Sequence, residues 1–187
     1  MKKLICLTLI CLTFLSCKKD DDINTTNPTG LSIGDTYQGG IIFYLDGNGG
    51  GLIAAPTDQS TGAQWGCYGT TISGADGTAI GTGAQNTIDI EFECDTAGTA
   101  ADICANLTLG EYSDWFLPAK DELNEMYLNI GQGNALGLGN IGGFDSTIYW
   151  SSTEYASSGA WRENFFIGNQ DGYVKDASNN VRAIRAF

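Results

Sequence analysis

The spacing of apolar residues changes character three times along the chain. Leu4 to Leu15 is an apolar run broken only by threonines and preceded by Lys2 and Lys3. About twelve helical residues cover roughly 18 Å, well short of a ~30 Å bilayer core. Residues 1–16 therefore read as an export signal rather than a membrane span. Residues 18–30 (KKDDDINTTNPTG) are polar and read as a tether. Fully extended they reach at most ~43 Å, which keeps the folded part close to the membrane. The folded domain is expected over 31–187.

Within it, Gly40–Leu45 is a continuous apolar run, as expected of a strand covered on both faces. Asp46–Gly51 (DGNGGG) reads as a hairpin turn rather than half a calcium loop, and Leu52–Ala55 returns as a second strand. Residues 57–83, rich in Gly, Thr, Ser and Ala, read as a long packed loop. Ile88–Glu93 alternates strictly, which favours a strand, whereas its short reach and the preceding Gln85-Asn86-Thr87 favour a helix. Thr99 begins a capping-box-like helix start, with Ile103, Cys104 and Leu107 at helical spacing and Gly110 as its stop. A second helix is expected from Pro118, with Leu123, Met126, Tyr127 and Ile130 as its apolar stripe and Gly131 at its end. Asp121 and Glu122 fall in its first turn, where the helix dipole favours anions. From Ile148 the pattern becomes short strands: IYWSS, AWRENFFI, GYVKD and VRAIRAF, with turns at 157–159, 168–172 and 178–180. Strands at both ends with helices between them predict an α+β domain.

Composition narrows the chemistry. The chain of 187 residues has 22 acidic and 9 basic residues and no histidine, a net charge of −13. Without histidine, Ser-His-Asp and Cys-His nucleophile pairs and His-containing zinc sites are excluded. So is the side chain that ordinarily titrates near neutral pH. Nucleic acid is disfavoured for want of a basic footprint. From Leu31 onward the basic residues are Lys120, Arg162, Lys175, Arg182 and Arg185, against 19 acidic ones, a net of −14.

Phe14-Leu15-Ser16-Cys17 resembles a bacterial lipobox, which implies cleavage before Cys17 and lipidation of that cysteine. Lys18-Lys19-Asp20-Asp21-Asp22 resembles the surface-export signal of Bacteroidetes-type lipoproteins, so an outer-membrane, cell-surface location is expected. Cys67, Cys94 and Cys104 remain in the domain. Cys104 falls in a helical pattern and reads as a buried small hydrophobe. That favours a Cys67–Cys94 disulfide, with Cys94–Cys104 as the alternative. No CxxC motif is present.

Five blocks occur in one order: YQGGIIFYLDGNG at 37–49, GLIAAPTDQSTGAQWGC at 51–67, YSDWFLPAKDEL at 112–123, YWSSTEY at 149–155 and VRAIRAF at 181–187. Together they resemble the Lcl C-terminal domain family (DUF1566-type) over about residues 35–187. The resemblance implies a C-type-lectin-like mixed domain with two helices, long loops, and first and last strands paired. It also implies a helix over 88–93 and ligand loops near the C-terminus. Its founding adhesin implies extracellular binding that includes sulphated glycosaminoglycans, and possible homo-oligomers. The net charge of this domain opposes a polyanion unless its few basic groups cluster. The lectin motifs Glu-Pro-Asn and Gln-Pro-Asp are absent.

The expected function is an adhesin-like surface module that recognises an extracellular glycan or protein; an envelope assembly component is the alternative, and a hydrolytic enzyme comes third. The candidate ligand residues are Glu154, Tyr155, Trp161, Arg162, Asn169, Gln170, Asp171 and Tyr173. Their aromatic faces and amide or carboxylate groups suit sugar or protein recognition. Trp150 and Phe166 read as core; Trp161 and Tyr155 read equally well as core or surface. No cofactor is expected beyond calcium, for which Asn169 and Asp171 are the best-placed oxygen ligands.

Overall fold

The apolar run in the first hairpin is buried on both sides because it lies between two hydrophobic clusters. In the computed structural model, which describes residues 30–187, β1 (Thr36–Tyr37), β2 (Gly40–Leu45) and β3 (Gly51–Ala54) form an antiparallel meander. Successive residues alternate between clusters. Ile42 and Ile53 join Trp65, Ile90, Leu117 and Trp150 on one side. Phe43 and Leu52 join Phe116, Leu123, Met126 and Phe165 on the other. Asp46 closes the hairpin: its Oδ1 accepts the N–H of Asn48 at 2.7 Å and of Gly50 at 2.9 Å, an Asx-type turn. The export signal, Cys17 and the tether up to residue 29 lie outside the described residues.

The remaining elements are β4 (Ser60–Gln64), α1 (Gly83–Glu93), α2 (Ala100–Ala105), α3 (Lys120–Ile130), β5 (Ile148–Ala156), β6 (Gly159–Asn164), β7 (Asn169–Val174), β8 (Ser178–Val181) and β9 (Ile184–Ala186). They make an α+β domain with two sheets, ordered β1-β2-β3-β9 and β4-β8-β5-β6-β7. The first and last strands thus share a sheet, with β9 hydrogen-bonded to β3. β8 pairs antiparallel with β4 and parallel with β5. No helix among the described residues is long and apolar enough to cross a membrane.

Four sequence expectations need correction. The segment expected to be a long loop contains β4. The alternation at 88–93, which reads both as strand and as helix, is the second half of α1, the helix that the family resemblance implies, and it makes three helices where two were expected. Ile90 is buried there, while Ile88 and Phe92 are 59% and 84% exposed. Their exposure on the outer side is what imitated a strand. Ser178-Asn179-Asn180, expected as a turn, forms β8. The second turn, expected at 168–172, comes earlier, at 165–168, where the Gly168 N–H donates to Asn164 O at 2.7 Å and the Phe166 N–H to Asn164 Oδ1 at 2.9 Å. It leaves Phe166 70% exposed rather than in the core. Trp150, by contrast, is fully buried and donates its indole N–H to Ala63 O at 3.0 Å.

Helix α3 starts two residues after Pro118, with Ala119 as its cap. An alanine has no capping oxygen, so Glu122 supplies one. Its carboxylate accepts the N–H of Ala119 at 2.7 Å and of Gly81, just before α1, at 2.8 Å. Glu122 is fully buried, and burial raises its pKa against the pull of those backbone donors. A Cβ on Gly83 would stand 2.2 Å from its Oε2, so only glycine lets α1 begin against this carboxylate. Asp121 and Glu122, alike in sequence, thus serve different ends.

Cys67 and Cys94 form the disulfide. It joins the segment after β4 to the C-terminal cap of α1. Closing a 27-residue separation stabilises the fold by about 3.5 kcal/mol in the chain-entropy model. Cys104 is a buried free thiol in α2, and burial pushes its pKa up.

The two sheets meet at Arg182, between β8 and β9. Its Nε donates to Asp58 Oδ1 at 2.6 Å, and its Nη1 to Ala55 O at 3.0 Å and Gly142 O at 2.8 Å. Its guanidinium lies 4.4 Å from the Phe144 ring centroid. Asp58 Oδ2 in turn accepts from Tyr149 Oη at 2.8 Å and Asn180 Nδ2 at 2.9 Å. Replacing Arg182 by Met would leave the Asp58 carboxylate in a largely enclosed site without its cation, so Arg182→Met is expected to cost about 3–5 kcal/mol. Urea unfolding at pH 7 measures this, and pairing it with Asp58→Asn should cost less than the sum of the two single changes. A loss below about 1 kcal/mol would show that the pair does not organise the fold.

Candidate functional site

Strand alternation divides the candidate residues between opposite faces of the β6–β7 hairpin. The register pairs Ala160 with Tyr173, Trp161 with Gly172, Arg162 with Asp171, Glu163 with Gln170 and Asn164 with Asn169. Side chains directly opposite share a face and neighbours along a strand do not. Arg162, Asp171 and Tyr173 therefore belong to one face, and Trp161, Glu163 and Gln170 to the other.

On the first face, Arg162 Nε and Nη2 bind Asp171 Oδ1 and Oδ2 at 3.0 and 3.2 Å. The same guanidinium lies 3.5 Å from the Tyr173 ring centroid. A planar guanidinium is suited to this combination of bidentate pairing and stacking. Asn169 is exposed at the start of β7. Asn169 and Asp171 share this face, but both Asp171 oxygens already accept from Arg162. Among the described residues no three acidic or cysteine side chains gather into a metal-holding group.

On the second face, Trp161 is half-buried and packs edge-on to Tyr155, with ring centroids 5.3 Å apart and planes at 84°. Lys120, at the first turn of α3, places its ammonium 4.3 Å from the Trp161 ring centroid. Gln170 lies beside them, donating to Lys120 O at 2.7 Å and Glu163 Oε2 at 3.1 Å. Tyr155 is 62% exposed, yet its ring has a defined seat over Gly172. A Cβ there would stand 2.8 Å from the ring. The groove alongside has a volume of about 190 Å³ and is lined by Tyr155, Ser158, Gly159, Gly172, Tyr173 and Val174. Tyr155, Trp161 and Lys120 thus form an aromatic ledge with one cation. Lys120 was missed in the sequence because 41 residues separate it from Trp161, and no local pattern links a helix start to a distant strand.

Glu154 does not join the ledge. It faces inward, where Oε1 accepts from Lys175 Nζ at 2.5 Å and from the Ile72 N–H at 2.9 Å. Lys175, fully buried, also donates to Thr70 O at 2.8 Å and lies 4.4 Å from the Trp65 ring centroid. This pair fastens the 65–77 segment to the second sheet. Arg185 is bound to Asp114 at 2.6 Å and lies 3.8 Å from the Tyr112 ring centroid. Every cation of the domain therefore rests on an aromatic ring, and four of the five also pair with a carboxylate.

Glu163 was legible in the sequence only as one residue of a strand. It is fully buried, and its Oε1 has no hydrogen-bond partner. Burial pushes its pKa up to about 8, against the lowering influence of Gln170 and Lys120. A carboxyl thus takes the titration range that histidine would otherwise fill. The unfolded chain releases this proton near 4.5, whereas the folded one holds it to about 8. Its contribution to stability is therefore full below about 4.5 and is lost as pH rises to about 8. Glu163→Gln, neutral throughout, is expected to flatten the decline in melting temperature between pH 5 and 8 and to stabilise the domain at the upper end. Parallel melting curves for the two proteins across that range would contradict this.

No curated protein matches the chain. The family profile described as the Lcl C-terminal domain matches residues 55–185. That span runs from the end of β3 through all four cation–carboxylate pairs and the ledge to β9. It covers more than half of the chain, and the chain belongs to the Lcl C-terminal domain family.

Proposed function

We propose that this protein is a surface lipoprotein, anchored through Cys17, whose domain binds an extracellular glycan or protein on the Tyr155–Trp161 ledge. The observation that carries this reading is an exposed tyrosine held edge-on against a half-buried tryptophan. Such a ring offers rigid apolar area at low entropic cost. Lys120 and the backbone around the groove supply polar groups beside it. The groove is shallow and open, which suits recognition of a chain or a surface more than enclosure of a reacting group.

Charge refines the ligand class. Lys175, Arg182 and Arg185 are buried, and Arg162 is tied to Asp171. Of the 19 acidic residues in the domain, four pair with these cations. The reading therefore favours a neutral glycan or a neutral to basic protein over a sulphated polyanion. Phe166 and Ile167 at the β6–β7 turn, 70% and 61% exposed, favour a second reading, a protein partner in the cell envelope. The run Lys18–Asp22 supports a location on the outer-membrane surface in either case.

The test is a glycan and host-protein array probed with soluble residues 18–187, with and without calcium. The wild type is expected to bind one ligand class. Tyr155→Ala should lose about tenfold or more in affinity, roughly 1.4 kcal/mol, at unchanged melting temperature. Gly172→Ala, which displaces the same ring, should weaken the same ligand. Uniformly negative arrays would sink the binding reading, and full affinity in Tyr155→Ala would remove the ledge from it.

A further inference from the structure

A second cavity shares no lining residue with the ledge groove. It lies between α1, α2 and the segment before Pro118, and is lined by Ala84, Thr87, Ile88 and Glu91, by Ala105, and by Asp114–Phe116. Its volume of about 520 Å³ falls within the range of small-molecule sites. The wall is mostly apolar, which makes it unsuited to a sugar, whose many hydroxyls would lose their water without replacement.

Two of the lining residues carry buried polar atoms that have no hydrogen-bond partner: Glu91 Oε1 and Trp115 Nε1. Trp115 is only 3% exposed, and an indole N–H can only donate. An unmade buried bond costs about 1–3 kcal/mol, and both atoms are closed to water as the side chains stand, so an occupant that satisfies them does so with a turn of the Glu91 carboxylate and a shift of the Trp115 ring. The charged side chains that line the cavity, Glu91 and Asp114, are both acidic. Glu91 has Asp102 as an acidic neighbour, and burial together with that neighbour raises its pKa. Asp114 is on the wall and already holds Arg185. No basic side chain lines the cavity.

We propose that the α1–α2 cavity binds a small, largely apolar organic amine: the ammonium pairs with Glu91, the apolar body fills the space beside Ile88 and Phe116, and an acceptor on the ligand takes the Trp115 indole N–H. Exposure of Ile88 on the outer side of α1 follows from this use, because the residue lines the cavity instead of the core. An anion of the same shape is repelled by Glu91, whereas the charge of Asp114 is offset by Arg185.

The test uses the unacylated mature chain, residues 17–187, labelled with ¹⁵N. Its four tryptophans give four indole cross-peaks, and Trp115→Phe assigns one of them. Tyramine is titrated as the amine and 4-hydroxyphenylacetate as the matched anion. Tyramine is expected to move the Trp115 peak saturably at about millimolar concentration or below, leaving Trp161 in place. The anion should bind about tenfold or more weakly, and Glu91→Gln should weaken tyramine about fivefold or more at unchanged melting temperature. A Trp115 peak that stays still, an anion that binds as well as the amine, or full affinity in Glu91→Gln would overturn the proposal. Movement of Trp161 alone would assign the binding to the ledge and overturn it equally.

Discussion

The position of Arg182 is the constraint on which the architecture rests. One guanidinium, buried where the chain leaves one sheet for the other, binds Asp58 and the carbonyls of Ala55 and Gly142. Asp58 then holds Tyr149 and Asn180 from two strands of the second sheet. A buried charge is tolerated only when paired and fully hydrogen-bonded, so these segments must arrive together. Asn180 explains why so polar a sequence as Ser178-Asn179-Asn180 becomes a strand: its amide completes the Asp58 carboxylate.

The same device recurs with Lys175 and Glu154, which hold the 65–77 segment, and with Arg185 and Asp114, which fix the last strand beside Tyr112. Cations that a sequence reader would place on a binding surface are thereby drawn into the fold. The remaining exterior carries unpaired carboxylates and a few ordered aromatic rings. Steering by such a surface repels anions and admits neutral or cationic partners. The ledge and the α1–α2 cavity differ in shape and polarity, yet both are consistent with that field.

Much of the fold was legible in sequence. The apolar first strand, the Asp46 turn, the stripe of α3 and the Cys67–Cys94 bond each follow from a local pattern or from the number of cysteines. The failures share a cause. Ile88 and Phe92 mimic a strand because two outward apolar residues flank a buried Ile90. Asn180 looks like part of a turn because the acid it serves, Asp58, is over a hundred residues away. The candidate site was half legible: Tyr155 and Trp161 belong together, but strand alternation places Arg162, Asp171 and Tyr173 on the opposite face. Glu154 was misjudged because its partner Lys175 is not local, and Lys120 and the buried acid of Glu163 leave no trace in residue spacing.

The central claim is that four of the five basic groups of this domain are tied to carboxylates within the fold, which leaves Lys120 as the one cation beside the ledge. Retention of soluble residues 18–187 on immobilised heparin tests it most directly. The account predicts elution in the void volume even at low salt. Retention that persists at about physiological ionic strength, where the Debye length is ~8 Å, and is released only by added salt would contradict it, because it would require a free basic cluster that the single unpaired Lys120 cannot supply.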